Sequence, residues 1–189
     1  MLIVIKMKKE IERIISLPEN VKARLELPKI IIEGPLGKVE RVFHIKKIEL
    51  ASKENNIIIR CSKATKKEKK MINTIASHID NMIQGVLKGY EYKLQICSIH
   101  FPMTVSIDKQ RNLLVIKNFL GETKERTVKI FPGVEISIEN DIITVKCLDK
   151  ELAGQQAAAI ERATRITARD RRVFQDGIWI IKKEKGKRK

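Results

Sequence analysis

The stretch I-K-N-F-L-G-E-T-K-E-R, from Ile116 to Arg126, decides the fold because a similar stretch occurs earlier in the chain. Residues Ile32 to Arg41 read I-E-G-P-L-G-K-V-E-R, so both segments run from a strand-like start through Leu-Gly to a charged turn ending in Glu-Arg. The sequences I-I-R-C at 58–61 and T-V-K-C at 144–147 follow the two copies, and a long helical pattern follows each. A period of about ninety residues is too long for a solenoid repeat and predicts a duplicated small domain.

Each copy is predicted to hold several strands followed by one helix. In the first copy, apolar and alternating runs predict strands over 11–17, 21–27, 30–33, 39–50 and 56–60. In the second copy they predict strands over 92–99, 103–107, 113–117, 127–130, 134–138 and 142–147, and a helix over 150–168. The expected fold class is α+β: two duplicated small domains at 1–90 and 91–181, each an antiparallel β-sheet with a helix packed on one face, plus a basic C-terminal tail at 182–189.

Both predicted helices have recognisable ends. Thr65 and Glu68 have the spacing of a capping box, in which each side chain satisfies a free backbone amide at the start of a helix. Apolar residues then recur at three- and four-residue steps, and either Gly85 or Gly89 can end this first helix in a left-handed conformation. Asp149 is expected to cap the second helix.

The charge of the chain indicates a polyanionic partner. The net charge is +16, and 43% of the residues are hydrophobic, enough for packed cores. Residues 1–90 carry 19 basic and 10 acidic side chains, residues 91–181 carry 14 and 12, and the tail carries 6 and 1. Such an excess is most typical of nucleic-acid binding. No apolar run approaches the length of a membrane span, so no membrane partner is expected.

The cysteines and the first residues indicate a reducing, intracellular compartment. Cys61, Cys97 and Cys147 are far apart, with neither a disulfide framework nor zinc-ligand spacing. The apolar opening Met1–Ile5 is followed at once by lysines, so it is too short for a signal peptide. A first strand or a short arm is expected there.

No constellation of residues indicates catalysis. His44, His78 and His100 do not lie near cysteines or acidic clusters at ligand spacing, and His78 is expected to pack at the edge of a core. The aspartates stand in turn or cap positions, and no phosphate-binding glycine loop or nucleophile elbow is present. No enzymatic activity, metal or cofactor is expected.

Two basic clusters are the candidate binding surfaces. The first crowds the start of the first helix, where added cations are disfavoured by the helix dipole, and it comprises Lys63, Lys66, Lys67, Lys69 and Lys70. These lysines either contact phosphates or form a solvated face. The second cluster comprises Arg162, Arg165, Arg169, Arg171, Arg172, Lys182, Lys183, Lys185, Lys187, Arg188 and Lys189. Arginine forks suit bidentate phosphate contacts, so here binding is favoured over a solubilising role.

The aromatic content bears on how nucleic acid would be recognised. Aromatic residues make up 4% of the chain and do not alternate with the basic residues along the sequence. This pattern argues against stacking of single-stranded bases, and favours recognition of phosphates and shape in structured nucleic acid.

The chain resembles the universal large-subunit ribosomal protein family numbered six in bacteria and nine in eukaryotes, in its archaeal/eukaryotic form. In the first copy the resemblance rests on L-P-E-N-V at 17–21, E-G-P-L-G at 33–37 and S-H-I-D-N-M-I-Q-G-V at 77–86. In the second copy it rests on Y-K at 92–93, H-F-P at 100–102, N-F-L-G-E at 118–122, P-G-V at 132–134 and R-V-F-Q-D-G-I-W at 172–179. The last segment is similar to the family signature R-x-F-x-D-G-I-Y, with Trp179 where tyrosine is usual. The first copy lacks the tryptophan pair common in eukaryotic members.

The resemblance implies a structural constituent of the large ribosomal subunit. It implies binding to large-subunit rRNA near the sarcin–ricin loop and the base of the factor-binding stalk, mainly through the second domain, whereas charge alone would place the main contact on the first. It points to the 118–126 turn, the 169–177 loop and the tail. At the 118–126 turn, the resemblance adds four residues to the candidate contacts: Lys117, Asn118, Lys124 and Arg126. Asp176 and Gly177 are expected to shape a turn.

Partners and alternatives follow from the same resemblance. Neighbouring large-subunit proteins and nearby translation factors are the expected protein partners. The expected location is the cytoplasm, on the large subunit, and the nucleolus during assembly if the source is eukaryotic. The main alternative is a free RNA-binding or ribosome-assembly protein that mature ribosomes do not retain. A hydrolase acting on RNA is a third alternative, for which the sequence shows no acid–base pair.

Overall fold

The computed structural model describes residues 9–43, 47–53 and 55–182. The predictions for the opening segment 1–5, for His44 and for the tail beyond Lys182 lie outside the described residues. Contacts between residues divide the chain into two compact units, with the division between Lys88 and Gly89.

The first unit pairs its strands into two antiparallel sheets. One sheet has the order β2-β3-β4, and the other has β6 in the centre between β1 and β5. The described elements are β1 (Lys9–Ser16), β2 (Lys22–Glu26), β3 (Lys29–Gly34), β4 (Gly37–Val42), β5 (Glu49–Lys53), β6 (Asn56–Ala64) and α1 (Lys66–Lys88). The helix contacts strands of both sheets and buries a stripe that includes Ile72, Ile75 and Ile79.

The second unit repeats this arrangement. Its sheets have the orders β10-β9-β8 and β11-β12-β7-β13, all antiparallel. The described elements are β7 (Tyr90–Cys97), β8 (Thr104–Asp108), β9 (Leu113–Lys117), β10 (Arg126–Lys129), β11 (Glu135–Glu139), β12 (Ile142–Cys147), α2 (Lys150–Ala163) and β13 (Gly177–Lys182). The predicted α+β fold with a duplicated unit is therefore confirmed.

The repeated sequences occupy corresponding places in the two units. The I-I-R-C and T-V-K-C segments lie in the central strands β6 and β12, and the opening stretch and its earlier copy both span a hairpin. Ile32 pairs with Val39 in the first hairpin, whereas Ile116 pairs with Arg126 in the second. When Ile32 is aligned with Ile116, the arginine that ends the second stretch pairs directly with its isoleucine. The arginine that ends the first stretch, Arg41, lies two residues beyond Val39, the partner of Ile32. The second hairpin therefore has a longer connection, with a short 3₁₀ turn at Phe119–Gly121.

Two sequence predictions of elements were wrong, and one strand was not predicted. The single strand expected over 39–50 is two strands in different sheets, because the chain leaves one sheet after Val42 and enters the other at Glu49. The second helix ends at Ala163 rather than 168, and Ala168 has a positive φ of 58° that a helix does not contain. Strand β13 was not predicted. It forms because its residues pair with β7, about eighty residues earlier, a partnership that local patterns do not reveal.

The predicted caps at Thr65 and Asp149 are confirmed, and of the two glycines expected to end the first helix it is Gly89 that follows it. Thr65 and Glu68 form the capping box: the Thr65 backbone N–H donates to the Glu68 carboxylate at 2.8 Å, and the Lys67 N–H donates to the Thr65 hydroxyl at 3.3 Å. Gly89, with φ 70°, follows α1, whereas Gly85 is buried within the helix. The Asp149 carboxylate accepts from the backbone N–H of Glu151 at 2.8 Å and so caps α2.

Candidate nucleic-acid interface

Five exposed arginines mark the end of α2 and the segment that connects it to β13. Arg162 lies in the last turn of the helix, and the other four lie in the connecting segment 164–176: Arg165, Arg169, Arg171 and Arg172. Among the described residues, none of these five guanidinium groups forms an ion pair with a carboxylate. A set of exposed and unpaired guanidinium groups is suited to bind phosphates.

A turn around Asp170 shapes the connecting segment. The backbone N–H groups of Val173 and Phe174 donate to the Asp170 carbonyl at 3.2 and 3.0 Å. The Arg172 N–H donates to the Asp170 carboxylate at 2.9 Å. The turn therefore holds the backbone at Arg171 and Arg172 while leaving both guanidinium groups exposed.

Two of the arginines lie over aromatic rings. The Arg169 guanidinium carbon is 4.9 Å from the centre of the Phe174 ring, and that of Arg171 is 5.4 Å from the centre of the Trp179 ring. Phe174 in turn stacks on His100, with ring centres 4.9 Å apart. The sequence pattern argued against stacking because aromatic and basic residues do not alternate. It missed this arrangement because the fold of the segment brings together arginines and aromatic residues that are not adjacent in sequence.

Asp176 fastens the end of this segment to the loop after β7. Its carboxylate, only 3% exposed, accepts hydrogen bonds from the backbone N–H groups of Ile99 and His100, at 2.7 and 2.9 Å, and lies 2.6 Å from Nδ1 of His100. Burial alone would raise the pKa of Asp176, but these hydrogen bonds from His100 and Ile99 outweigh it and lower the pKa. Asp176 therefore anchors the segment to a loop distant in sequence, whereas its sequence position predicted that it shapes a local turn.

Thr164 connects the end of α2 to the start of β13. Its hydroxyl accepts from the backbone N–H of Ile178 at 2.9 Å and donates to the carbonyl of Glu161 at 3.2 Å. Gly177 lies against Thr164 with φ 145°, and a Cβ atom there would lie 3.4 Å from the Thr164 hydroxyl. The arginine-bearing segment is thus fixed at both of its ends, which restricts its backbone.

The Arg126 guanidinium forms an ion pair and a hydrogen bond within the protein, whereas the five exposed arginines form no ion pair among the described residues. Its guanidinium forms a two-point ion pair with Glu122, donates to the backbone carbonyl of Ala163 at 2.8 Å, and lies 4.3 Å from the centre of the Phe119 ring. The Arg126 hydrogen bonds lower the pKa of Glu122. The sequence placed Arg126 among the candidate contacts, whereas the structure gives it a positioning role that connects the β9–β10 loop to the end of α2.

The other candidates in the β9–β10 loop are exposed. Lys117 pairs with Glu125 at 2.9 Å, and both side chains are half-exposed or more. Asn118 has φ 56°, and its side-chain amide donates to the Pro102 carbonyl at 2.9 Å, so it shapes the loop. Lys124 is exposed within the same loop.

The remaining basic candidates lie elsewhere. Lys182 is exposed at the end of β13 and lies 3.7 Å from the Glu91 carboxylate. Lys183, Lys185, Lys187 and Arg188 lie outside the described residues. The lysine cluster of the first unit is exposed around the start of α1, and its members are Lys63, Lys66, Lys67, Lys69 and Lys70.

The capping carboxylate of α1 changes how the lysine cluster is interpreted. Glu68 stands in the first turn, where a negative charge offsets the positive end of the helix dipole. Hydrogen bonds from the Thr65 hydroxyl and backbone lower the pKa of Glu68, so the carboxylate is charged at neutral pH. A bound phosphate is therefore not required to explain the lysines.

Among the residues that the structure describes, no group of three or more His, Cys, Asp or Glu side chains could hold a metal ion. Within the same residues, neither helix has the length and apolarity needed to cross a membrane.

Comparison with known proteins assigns the family. The family model described as ribosomal protein L6 matches residues 17–89 and, a second time, residues 101–177. This chain belongs to the ribosomal protein L6 family. The two matches correspond to the two copies described above, and the second includes the arginine-bearing segment up to Gly177. The resemblance inferred from the sequence is therefore confirmed.

Relatives in this family are similar over nearly their whole length. The large ribosomal subunit protein uL6 of Staphylothermus marinus is 45% identical over 168 residues, which cover 88% of this chain and 91% of the relative. The protein of the same name from Methanobrevibacter smithii is 41% identical, covering 90% and 94%. That of Methanosarcina mazei is 41% identical, covering 94% and 99%.

Proposed function

We propose that this chain is a structural constituent of the large ribosomal subunit and binds large-subunit rRNA through its second unit. The exposed arginines of the α2–β13 segment carry the proposal: Arg162, Arg165, Arg169, Arg171 and Arg172. Their guanidinium groups are unpaired among the described residues, although the second unit carries a net charge of only +2 over 91–181. The choice of this segment as the binding surface therefore rests on its local concentration of arginine and not on the net charge of the unit.

The fixed backbone around these arginines suits a structural role. Because the turn at Asp170 and the contacts of Thr164 and Asp176 hold both ends of the segment, little backbone freedom is lost when phosphates bind. Phosphate contacts position a protein on RNA without reading its sequence. Lys124 and Lys182 are further candidates for contact with the rRNA, and Arg126 connects the β9–β10 loop to the end of α2.

The resemblance supports a more specific location. We place the chain near the sarcin–ricin loop and the base of the factor-binding stalk, in contact with neighbouring large-subunit proteins and near bound translation factors, in the cytoplasm. Chemical footprinting of large subunits with and without the chain tests this location. Protection of the sarcin–ricin loop and the adjacent helices is expected, and protection confined to a distant rRNA domain would contradict it.

Salt-dependent binding to deproteinised large-subunit rRNA tests the role of the arginines. Each phosphate contact contributes roughly 0.7–0.9 to the slope of log K against log salt concentration. Replacing all five arginines by glutamine is expected to lower that slope by about 4 and to weaken binding strongly at physiological salt.

The lysine cluster of the first unit provides a matched control. The control variant replaces Lys63, Lys66, Lys67, Lys69 and Lys70 by glutamine and so removes the same charge. It is expected to change the slope by less than one contact, roughly 0.7–0.9. An equal or larger loss in the lysine variant would show that the first unit carries the main contact, and would overturn the proposed surface.

A further inference from the structure

A small hollow lies between the end of α2 and strand β13. Its volume is about 250 Å³, and its lining combines apolar, cationic and acidic side chains: Ala158, Glu161, Arg162, Thr164, Arg165, Arg171, Ile178 and Trp179. A neighbouring hollow of about 540 Å³ is lined by Cys97, Ile99, Arg171, Gln175 and Trp179. Arg171 and Trp179 line both hollows.

The ring of Trp179 is held in place by the fold. Its strand pairs with β7, where Trp179 lies opposite Gln95. The indole N–H donates to the carbonyl of Gln175 at 3.2 Å, so the polar atom of the ring is already satisfied. The Arg171 guanidinium lies 5.4 Å from the ring centre. The ring is therefore a fixed, half-buried surface whose polar edge needs no further partner.

The chemistry of the hollow matches the parts of a nucleotide. Unstacked RNA bases are held against aromatic rings or against the planes of arginine guanidinium groups, and Trp179 and Arg171 offer both. Arg162 and Arg165 supply forked donors for a phosphate at the same hollow. Phosphate recognition alone does not account for an indole placed among three guanidinium groups.

We infer that this hollow holds a single unstacked nucleotide of the RNA bound by the second unit. Its base packs against Trp179 and Arg171, and its phosphate is held by Arg162 and Arg165. The inference rests on the proposed function and adds base stacking to it. It differs from the expectation of phosphate and shape recognition that the sequence alone suggests.

Trp179 is the only tryptophan in the sequence, so its fluorescence reports directly on the hollow. The full chain is titrated with deproteinised large-subunit rRNA while tryptophan emission is recorded, and binding is measured in parallel by filter retention. Stacking of a base on the indole is expected to quench the emission, with the same midpoint as the retention curve. Deproteinised rRNA that is retained without quenching would overturn the inference and leave the proposed function intact.

Substitutions separate stacking from charge. Trp179→Leu removes the aromatic ring and is expected to weaken rRNA binding by roughly 5- to 150-fold, the range for losing one stacked base, without changing the salt slope. Trp179→Tyr keeps a ring and is expected to retain most of the affinity. Arg162→Gln is expected to lower the slope by about one phosphate contact, roughly 0.7–0.9.

A control variant and a folding check make the outcomes decisive. Lys109→Arg preserves the charge at an exposed residue of the β8–β9 turn, outside the lining of both hollows and outside the proposed binding surface, and it is expected to bind as the unsubstituted chain does. Thermal unfolding followed by circular dichroism shows whether each variant is folded. Equal affinity of folded Trp179→Leu and unsubstituted chain would refute base stacking. Complete failure of the unsubstituted chain to bind rRNA would instead refute the proposed function.

Discussion

Replacing Arg126 by alanine tests how the interface is held together. In the structure, one guanidinium makes three contacts: it pairs with Glu122 in the β9–β10 loop, covers the Phe119 ring of the same loop, and donates to the carbonyl of Ala163 at the end of α2. The Arg126 side chain is 28% exposed and that of Glu122 is 40% exposed. Removal of the guanidinium leaves the Ala163 carbonyl without this donor and the Glu122 carboxylate without its ion pair.

The loss of stability can be worked out from these contacts. A hydrogen bond from a charged donor contributes about 1.5–3 kcal/mol, a partly exposed cation–π contact about 0.5–1 kcal/mol, and a solvent-accessible ion pair about 0.2–1 kcal/mol. These contributions share one guanidinium and do not add fully. The free energy of unfolding of the second unit is therefore expected to fall by about 2–3 kcal/mol, which lowers its Tm by roughly 10–20 °C.

Urea unfolding of the full chain, followed by the fluorescence of Trp179, measures this loss in the second unit alone. Lys117→Ala is the matched control: it breaks the exposed pair with Glu125 in the same hairpin, and is expected to cost only about 0.2–1 kcal/mol. Arg126→Ala should not lower the salt slope of rRNA binding, because the guanidinium is not assigned a phosphate. A stability loss no larger than that of Lys117→Ala, or a slope lowered by a full contact, would refute the positioning role.

Three further substitutions have defined outcomes. Because the pKa of Asp176 is lowered in the folded chain, its stabilisation is complete above the ordinary aspartate pKa of about 3.9 and is lost as the pH falls through the lower folded pKa. Asp176→Asn should therefore cost about 2–3 kcal/mol near pH 7 by urea unfolding and progressively less below pH ~4; an equal cost at every pH would contradict this. Thr65→Ala should destabilise α1 by about 1 kcal/mol, measured by circular dichroism, because it removes the cap of the helix. An unchanged stability would show that the capping box contributes nothing. Gly34→Ala should cost about 1–3 kcal/mol in the same measurement, because its Cβ would lie 2.7 Å from a methyl carbon of Val86; unchanged stability would show that Val86 moves freely.

Local sequence patterns predicted most of the fold. The strands over 113–117 and 142–147 have the predicted bounds, and the caps at Thr65 and Asp149 form as their spacing indicates. These features depend on the alternation of apolar residues or on side chains within three positions of a helix start, and both are visible in a short window. The duplication was visible because the same local patterns recur in the same order.

The errors concern partners that are distant in sequence. Strand β13 exists through pairing with β7, and the end of β4 marks a change of sheet rather than a break in the apolar pattern. The contacts of Arg126 within the protein were also not predicted, because its acceptor, the carbonyl of Ala163, lies 37 residues away. The hollow beside Trp179 was missed for the same reason, since it is assembled from α2, the connecting segment and β13. A single sequence contains no direct record of such contacts.

The site residues differ in how far the sequence could assign them. A run rich in arginine after a helix indicated a binding surface. The structure shows those side chains exposed, on a segment that is anchored at both of its ends. The sequence could not separate Arg126 from its neighbours, because an arginine that holds a loop and one that binds a phosphate look alike in a motif. Only the partners of each guanidinium distinguish the two roles.

Sedimentation of the tagged chain from cell lysates through a sucrose gradient, with a high-salt wash, tests the central claim most directly. The unsubstituted chain and the variant with glutamine at the five lysines of the first unit are expected to migrate with large subunits and translating ribosomes, and to remain there after the wash. The variant with glutamine at Arg162, Arg165, Arg169, Arg171 and Arg172 is expected at the top of the gradient. An unsubstituted chain found only at the top, or only in precursor particles, would contradict the account and indicate a free or assembly role.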